Sequence, residues 1–479
     1  EKMFTPFSVK TTKKNAKSRK CADHNALHWG MKIKMCKPHS KLPPVWRMNR
    51  TLGKERYAVC TEELAMMLFE VAEKEESIDV VVGKLDRAVK DAKFKGYGKT
   101  SVSRRKKEKL DEKRIWTARL ELVKKLAREF ENQKDSIRVW KARTIAIGKG
   151  DNQRTSMQDY RSGEMLHDLE EITEMLLDYN EQTMGKETAT PEVQLLRKMK
   201  EDIVDELLED VSQFPQFIPW SVYRKVVEKV TAQKKGVLRD FCNSGVQFKM
   251  AVFVILNRIY MNETEPEIFK KTWLTKIWKR KGSTKDLANH RFVHGRHWLG
   301  KLYEKCLVEM ISQKQVDATP EFQMGGIPGK STREHLLAAM LLIRSFTARG
   351  KSVPIVLCDI KKCFDKLNIN DLVFDLANTG ADLKTVKMLR QFHQDFEIMM
   401  DCDKGKVNPR SRIIPDTVGQ GTNGAPGMAG NSQAKSVRKN VDIELCAKVG
   451  KIQTDHKSFV DDLMTTPGDA KKARMMGPQ

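Results

Sequence analysis

Hydrophobic positions along the chain repeat with two different periods, and the change between them divides the sequence. From about residue 60 to 235, apolar residues recur at helical spacing within a highly charged background. Trp116, Leu120, Val123, Ala127 and Phe130 form one series, on a segment that opens with the basic run Arg104-Arg105-Lys106-Lys107. Leu196, Met199, Ile203 and Leu207 form another, and Thr190-Pro191 supplies an N-cap and a first helical residue for it. Both series are expected to face a core. After about residue 265 the texture is mixed. A short β-like run, Val353 to Cys358, leads into Asp359, and another, Lys457 to Val460, leads into Asp461-Asp462. Between them lie a glycine-rich loop, Gly419 to Gly427, and a helix-compatible stretch to about Lys448. The pattern predicts an α+β fold behind a mainly helical region.

Charge narrows the class of partner. The 479 residues carry a formal net charge of +25, an excess that suits an extended polyanion such as nucleic acid. No run of about 20 apolar residues exists, so no membrane-spanning segment is expected. The first fifty residues are basic, broken at Pro43-Pro44, and lack both an initiator Met and the apolar core of a secretory signal. The chain is therefore expected to be a piece of a longer intracellular polypeptide. Nine scattered cysteines without a CxxC pair argue against a disulfide scaffold or a four-cysteine zinc site.

The carboxylates define the candidate chemistry. Phosphoryl transfer to a nucleotide uses two divalent cations about 3.5–4 Å apart, and such hard ions prefer oxygen ligands. Asp359 ends one apolar run, and Asp461-Asp462 follows another about a hundred residues on; that pair is the only Asp-Asp dipeptide in the sequence. Acids crowded together repel unless a cation lies between them. Three other patterns are set aside. Gly419-x-Gly421-x-x-Gly424 is a literal GxGxxG, but Pro415 interrupts the strand a dinucleotide site requires. Gly325 to Ser331 is one residue short of a phosphate-binding P-loop, and Pro328 removes a backbone donor. The spacing of Cys21, His24, His28, Cys36 and His39 fits no common zinc finger.

Taken in order, the segments resemble the reverse transcriptases of LINE-like, non-LTR retrotransposons. Asp359-Ile360-Lys361-Lys362-Cys363-Phe364-Asp365 resembles motif A, an Asp followed five residues later by an aromatic. Gly419 to Pro426 resembles motif B, with Ala425 in place of the usual Ser, and Phe459-Val460-Asp461-Asp462 resembles motif C. Upstream, Lys279 to Gly282, Asn289 to Val293 and Lys301 to Glu304 resemble fingers segments, although Phe292 stands where Pro is usual. Gln323 with Gly329-Lys330-Ser331-Thr332 resembles the stretch before motif A. The resemblance covers about residues 270–465. Ala22-Asp23-His24-Asn25-Ala26-Leu27 resembles the end of the apurinic-type endonuclease that precedes such polymerases.

This resemblance implies a right-hand polymerase: fingers over 265–350 and an incomplete palm over 351–479, with no thumb that can be fitted. A helical linker over 37–264 and a nuclease remnant over 1–36 would precede them. Asp359, Asp461 and Asp462 would be catalytic and would hold two Mg²⁺ or Mn²⁺ ions, with Ile360 lending its carbonyl. Phe364 would lie under the nucleotide sugar and exclude a 2′-hydroxyl. Gln420 would reach the sugar or base, while Gly419 and Gly421 would let backbone approach it. Lys281 and Arg291 would grip the triphosphate. Asp23 and His24 would be vestigial. The implied partners are an RNA template, a DNA primer or target and dNTPs, in nucleus and cytoplasm. A nucleic-acid-binding remnant without catalysis and a group II intron maturase are the alternatives.

Overall fold

In a computed structural model of the chain, the described residues are 47–48, 53–74, 77–97, 99–100, 156–184, 190–233, 238–327, 330–352, 354–359, 367–400, 410–414, 417–419, 427, 430, 432, 448–449, 452–453, 457–459 and 462–465. Helices and small sheets are mixed, an α+β arrangement. Ten helices are used below: α1 (Lys54–Glu73), α2 (Ile78–Tyr97), α3 (Leu169–Met184), α4 (Pro191–Glu209), α5 (Trp220–Gln233), α6 (Val246–Asn262), α7 (Trp298–Ala318), α8 (Thr332–Thr347), α9 (Ile369–Ala377) and α10 (Leu383–His393). The strands are β1 (Lys271–Trp278), β2 (His290–Arg296), β3 (Val356–Asp359), β4 (Phe396–Met400), β5 (Arg410–Ile414), β6 (Lys457–Phe459) and β7 (Asp462–Thr465). Among the described residues, no helix is long and apolar enough to cross a membrane.

One apolar cluster joins the N-terminal helices to those that follow. Leu68 of α1, Val81 and Leu85 of α2, Ile255 and Ile259 of α6, Leu302 and Leu307 of α7, and Leu389 and Phe392 of α10 belong to the same buried set. Helices α1, α2, α4, α5 and α6 are thus part of this core. A second cluster lies under a four-stranded sheet of order β2-β1-β4-β5, in which β1 pairs antiparallel with β2 and parallel with β4. Alternation along these strands sends Leu274, Phe292, Phe396, Ile398 and Ile414 inward, against Ile172, Met175 and Leu176 of α3. Trp273, Ile277 and Ile413 are left exposed on the other face. Charge fastens α3 at the edge: Arg410 Nη1 meets Glu174 at 2.7 Å, and Arg412 pairs with Glu174 and with Asp178.

Helix α4 corrects an expectation. Thr190 is its N-cap and Pro191 its first residue, as the sequence predicts. Its apolar stripe, however, faces outward: Leu196, Met199, Ile203 and Leu207 are 57%, 53%, 44% and 41% exposed. The helix is turned toward α9 and α10 by its polar residues. Arg197 Nε donates to Asp371 at 2.9 Å, Lys200 pairs with the same carboxylate, and Asn370 donates to Glu201 at 3.1 Å. Arg390 adds contacts to Glu201 and Asp205. Val204 and Leu208 are the side chains this orientation buries. The series from Trp116 to Phe130 lies outside the described residues.

Candidate active site

The acidic segments meet in a three-stranded antiparallel sheet of order β6-β7-β3. Asp462 pairs directly with Asp359, Leu463 with Cys358 and Met464 with Leu357, while Phe459 of β6 stands opposite Asp462. Directly opposed residues in an antiparallel ladder share one face, with Cβ atoms roughly 5 Å apart. Leu357, two residues before Asp359 and hence on the same side of its strand, is 75% exposed. A one-residue slip of either strand would send one aspartate to the opposite face. Asp461 lies outside the described residues, as do Ile360, Phe364, Gln420, Gly421, Asp23 and His24. Among the described residues, no group of three His, Cys, Asp or Glu could hold a metal ion.

Three contacts hold the approach to the glycine-rich loop and its far end, and one of them joins it to the segment after Asp359. Asn368 follows the segment that begins at Asp359 and caps α9 by accepting from the amides of Asn370 and Asp371. Its backbone also forms an antiparallel bridge with Thr417, just before the glycine-rich loop. Gly419, where that loop begins, lies against His294 of β2. A Cβ at position 419 would stand 2.6 Å from the His294 Cγ and 2.7 Å from its Nδ1. Farther on, the buried Gln323 donates from Nε2 to the carbonyl of Gly430 at 3.2 Å, and its Oε1 accepts from Gly325 N at 2.7 Å. Gly430 is also confined, because a Cβ there would approach Gly325 O to 3.0 Å.

Lys281 and Arg291 share the hairpin formed by β1 and β2, where Arg291 pairs with Ile277. Both are exposed. Tight packing shapes the hairpin tip. Gly282 has a φ of +67° and lies beside the Asn289 side chain, which donates to Ser283 O at 3.2 Å and to Asp286 at 2.9 Å. The serine of the Gly-Lys-Ser-Thr stretch has a local structural role. Ser331 caps α8 in a capping box with Glu334, which accounts for the pair without a phosphate.

No protein-family model and no curated protein matches the chain. Telomerases are among the solved structures to which the chain is similar at low identity. Apo telomerase from Candida tropicalis, truncated from its C-terminal domain, is 12% identical; the match covers 78% of this chain and 84% of that one, with a TM-score of 0.33. Apo telomerase from the same organism gives 12% identity, 76% and 68% coverage and a TM-score of 0.34. Telomerase from Candida albicans in complex with a TWJ fragment of telomeric RNA gives 10%, 76% and 68%, and 0.33.

A buried polar cluster gathers around Arg296, and periodicity could not reveal it. Arg296, buried at the end of β2, donates to the carbonyl of Phe392 at 2.6 Å, and its guanidinium lies over the rings of Phe392 and Phe396 at 4.3 and 5.0 Å. Burial lowers its pKa to about 10 despite the nearby Glu304 and Glu265. Glu304 and His393, both fully buried, approach to 3.5 Å. Glu265 lies 3.7 Å from Lys270 and is pushed up to about 7, because burial outweighs the two neighbouring cations. His294 is held down to about 3 by burial, with Arg296 and His393 adding to the effect, so its ring is neutral. Neither His294 nitrogen has a hydrogen-bond partner among the described residues. Glu304 belonged to a sequence-matched segment; His294 and His393 carried no signal beyond being isolated histidines.

Proposed function

We propose that the chain is a template-directed nucleotidyl transferase of the reverse-transcriptase type, from the LINE-like, non-LTR branch. The observation that carries this reading is the register of β3 and β7, in which Asp462 stands opposite Asp359. A slip of one residue would have separated them. Supporting it, the flanks of the sequence-matched segments meet through Asn368 and Thr417, Gln323 and Gly430, and His294 and Gly419. A charge of +25 suits a polymerase that holds an RNA template and a DNA primer.

In this reading, Asp359 and Asp461 supply the main oxygen ligands for two Mg²⁺ or Mn²⁺ ions, assisted by Asp462 and the Ile360 carbonyl. The register of Asp359 and Asp462 supports two of these positions, since hard cations take carboxylate and carbonyl oxygen. Bound there, the ions would supply activation of the primer 3′-hydroxyl and neutralisation of the leaving pyrophosphate. The chain's own groups do the positioning. Phe364 sets the sugar against the strand end and selects dNTPs. Gln420 orients the nucleotide, with Gly421 giving its backbone room. Lys281 and Arg291 on the hairpin hold the triphosphate. Primer extension on an RNA template with Mg²⁺ or Mn²⁺ tests the reading. The wild-type chain is expected to incorporate dNTPs, and Asp461→Asn to reduce incorporation by at least about a hundredfold. Template binding without extension would favour a nucleic-acid-binding protein without catalysis.

A further inference from the structure

The glycine-rich loop has a fixed entrance. Thr417 and Val418 are buried, and Thr417 is bridged to Asn368. At the next residue, the ring of His294 fills the space that any side chain at 419 would need: Cγ, Nδ1 and Cδ2 lie 2.6, 2.7 and 2.9 Å from an added Cβ. That ring has little room to yield. It is buried, packs edge-to-face on Phe396 at 5.5 Å between ring centroids, and sits on a central stretch of β2, where His294 pairs with Leu274. Both ring nitrogens are buried without a hydrogen-bond partner among the described residues. Among the described residues, the ring meets Gly419 by shape and not by a hydrogen bond.

We propose that His294 is a positioning residue: its ring sets where the backbone enters the glycine-rich loop at Gly419, and so how the following residues meet an incoming nucleotide. Strand β2 and the entrance of the loop thereby meet where the His294 ring packs on Gly419. A larger residue at 419 would displace the entrance; removing the ring would release it. The nucleotide consequence rests on the polymerase reading above, whereas the packing does not.

A four-protein cycle tests this: wild type, His294→Ala, Gly419→Ala and the double variant, with His294→Leu as a shape-conserving control. Gly419→Ala is expected to lower the melting midpoint by about 2–4 °C. The double variant should lose clearly less than the sum of the single losses, because the smaller residue at 294 makes room for the new methyl. Hydrogen exchange should rise in His294→Ala over residues 410–430, with α9 and α10 unchanged. In primer extension, His294→Ala should raise the dNTP KM about tenfold while kcat stays within about twofold, and His294→Leu should restore the KM. Additive melting losses, exchange that rises evenly over the chain, or an unchanged dNTP KM in an active protein would each overturn the proposal. A wild-type chain that extends no primer would overturn the polymerase reading, and the melting and exchange results would then decide the packing alone.

Discussion

Glu265 is buried beside Lys270 and within the field of Arg296, yet burial prevails and its carboxyl titrates at about 7. A carboxyl raised above its ordinary value binds its proton more tightly in the folded chain than in the unfolded one. The stability it confers is complete below the usual carboxylate range and is lost as pH rises toward 7. Glu265→Gln is therefore expected to melt higher than wild type at pH 8 and close to it at pH 4, in paired thermal scans. A gain at pH 4 as large as that at pH 8 would contradict the burial account. Residues of this kind were invisible in the sequence, because a carboxylate's burial is decided by the elements folded around it. The aspartates stand out in the sequence for the opposite reason. Asp461-Asp462 follows an aromatic, occurs once, and stands at a set distance from Asp359. His294 offered no such pattern; its importance comes from Gly419, over a hundred residues away in sequence.

Helix α4 shows what periodicity can and cannot establish. Thr190-Pro191 marked its start correctly, and the apolar repeat marked it as a helix. Which side faces the core was decided elsewhere, by Asp371, Asn370 and Arg390 on α9 and α10. Salt bridges at such half-exposed positions contribute modestly, so Val204 and Leu208 should anchor the helix. Leu208→Ala is expected to cost about 2–4 kcal/mol in chemical denaturation. Met199→Gln, on the outward stripe, should stay within about 0.5 kcal/mol of wild type. The reverse ranking would mean that the stripe, and not the charged side, packs against the rest of the chain. Strand β3 was legible as an apolar run ending in Asp359, but its pairing was not. Register is a relation between two strands, and it took both to bring Asp462 opposite Asp359.

Across the whole molecule, the sequence divided the chain by texture, while the fold joins its parts through burial. Leu68 of α1 and Phe392 of α10 lie in one cluster, and β1 of the segment read as fingers pairs with β4 of the segment read as palm. Texture follows local composition, whereas a core is assembled from residues hundreds of positions apart, so the common core was not legible. The order of the motif-like segments was. The central claim is that the two strands carrying Asp359 and Asp462 form one nucleotidyl-transfer site. Single-turnover dNTP incorporation by wild type, Asp359→Asn, Asp462→Asn and the double variant tests it most directly. Residues acting as one unit are not additive: Asp359→Asn should abolish nearly all incorporation, and adding Asp462→Asn should cost little more. Incorporation by Asp359→Asn at the wild-type rate would contradict the account.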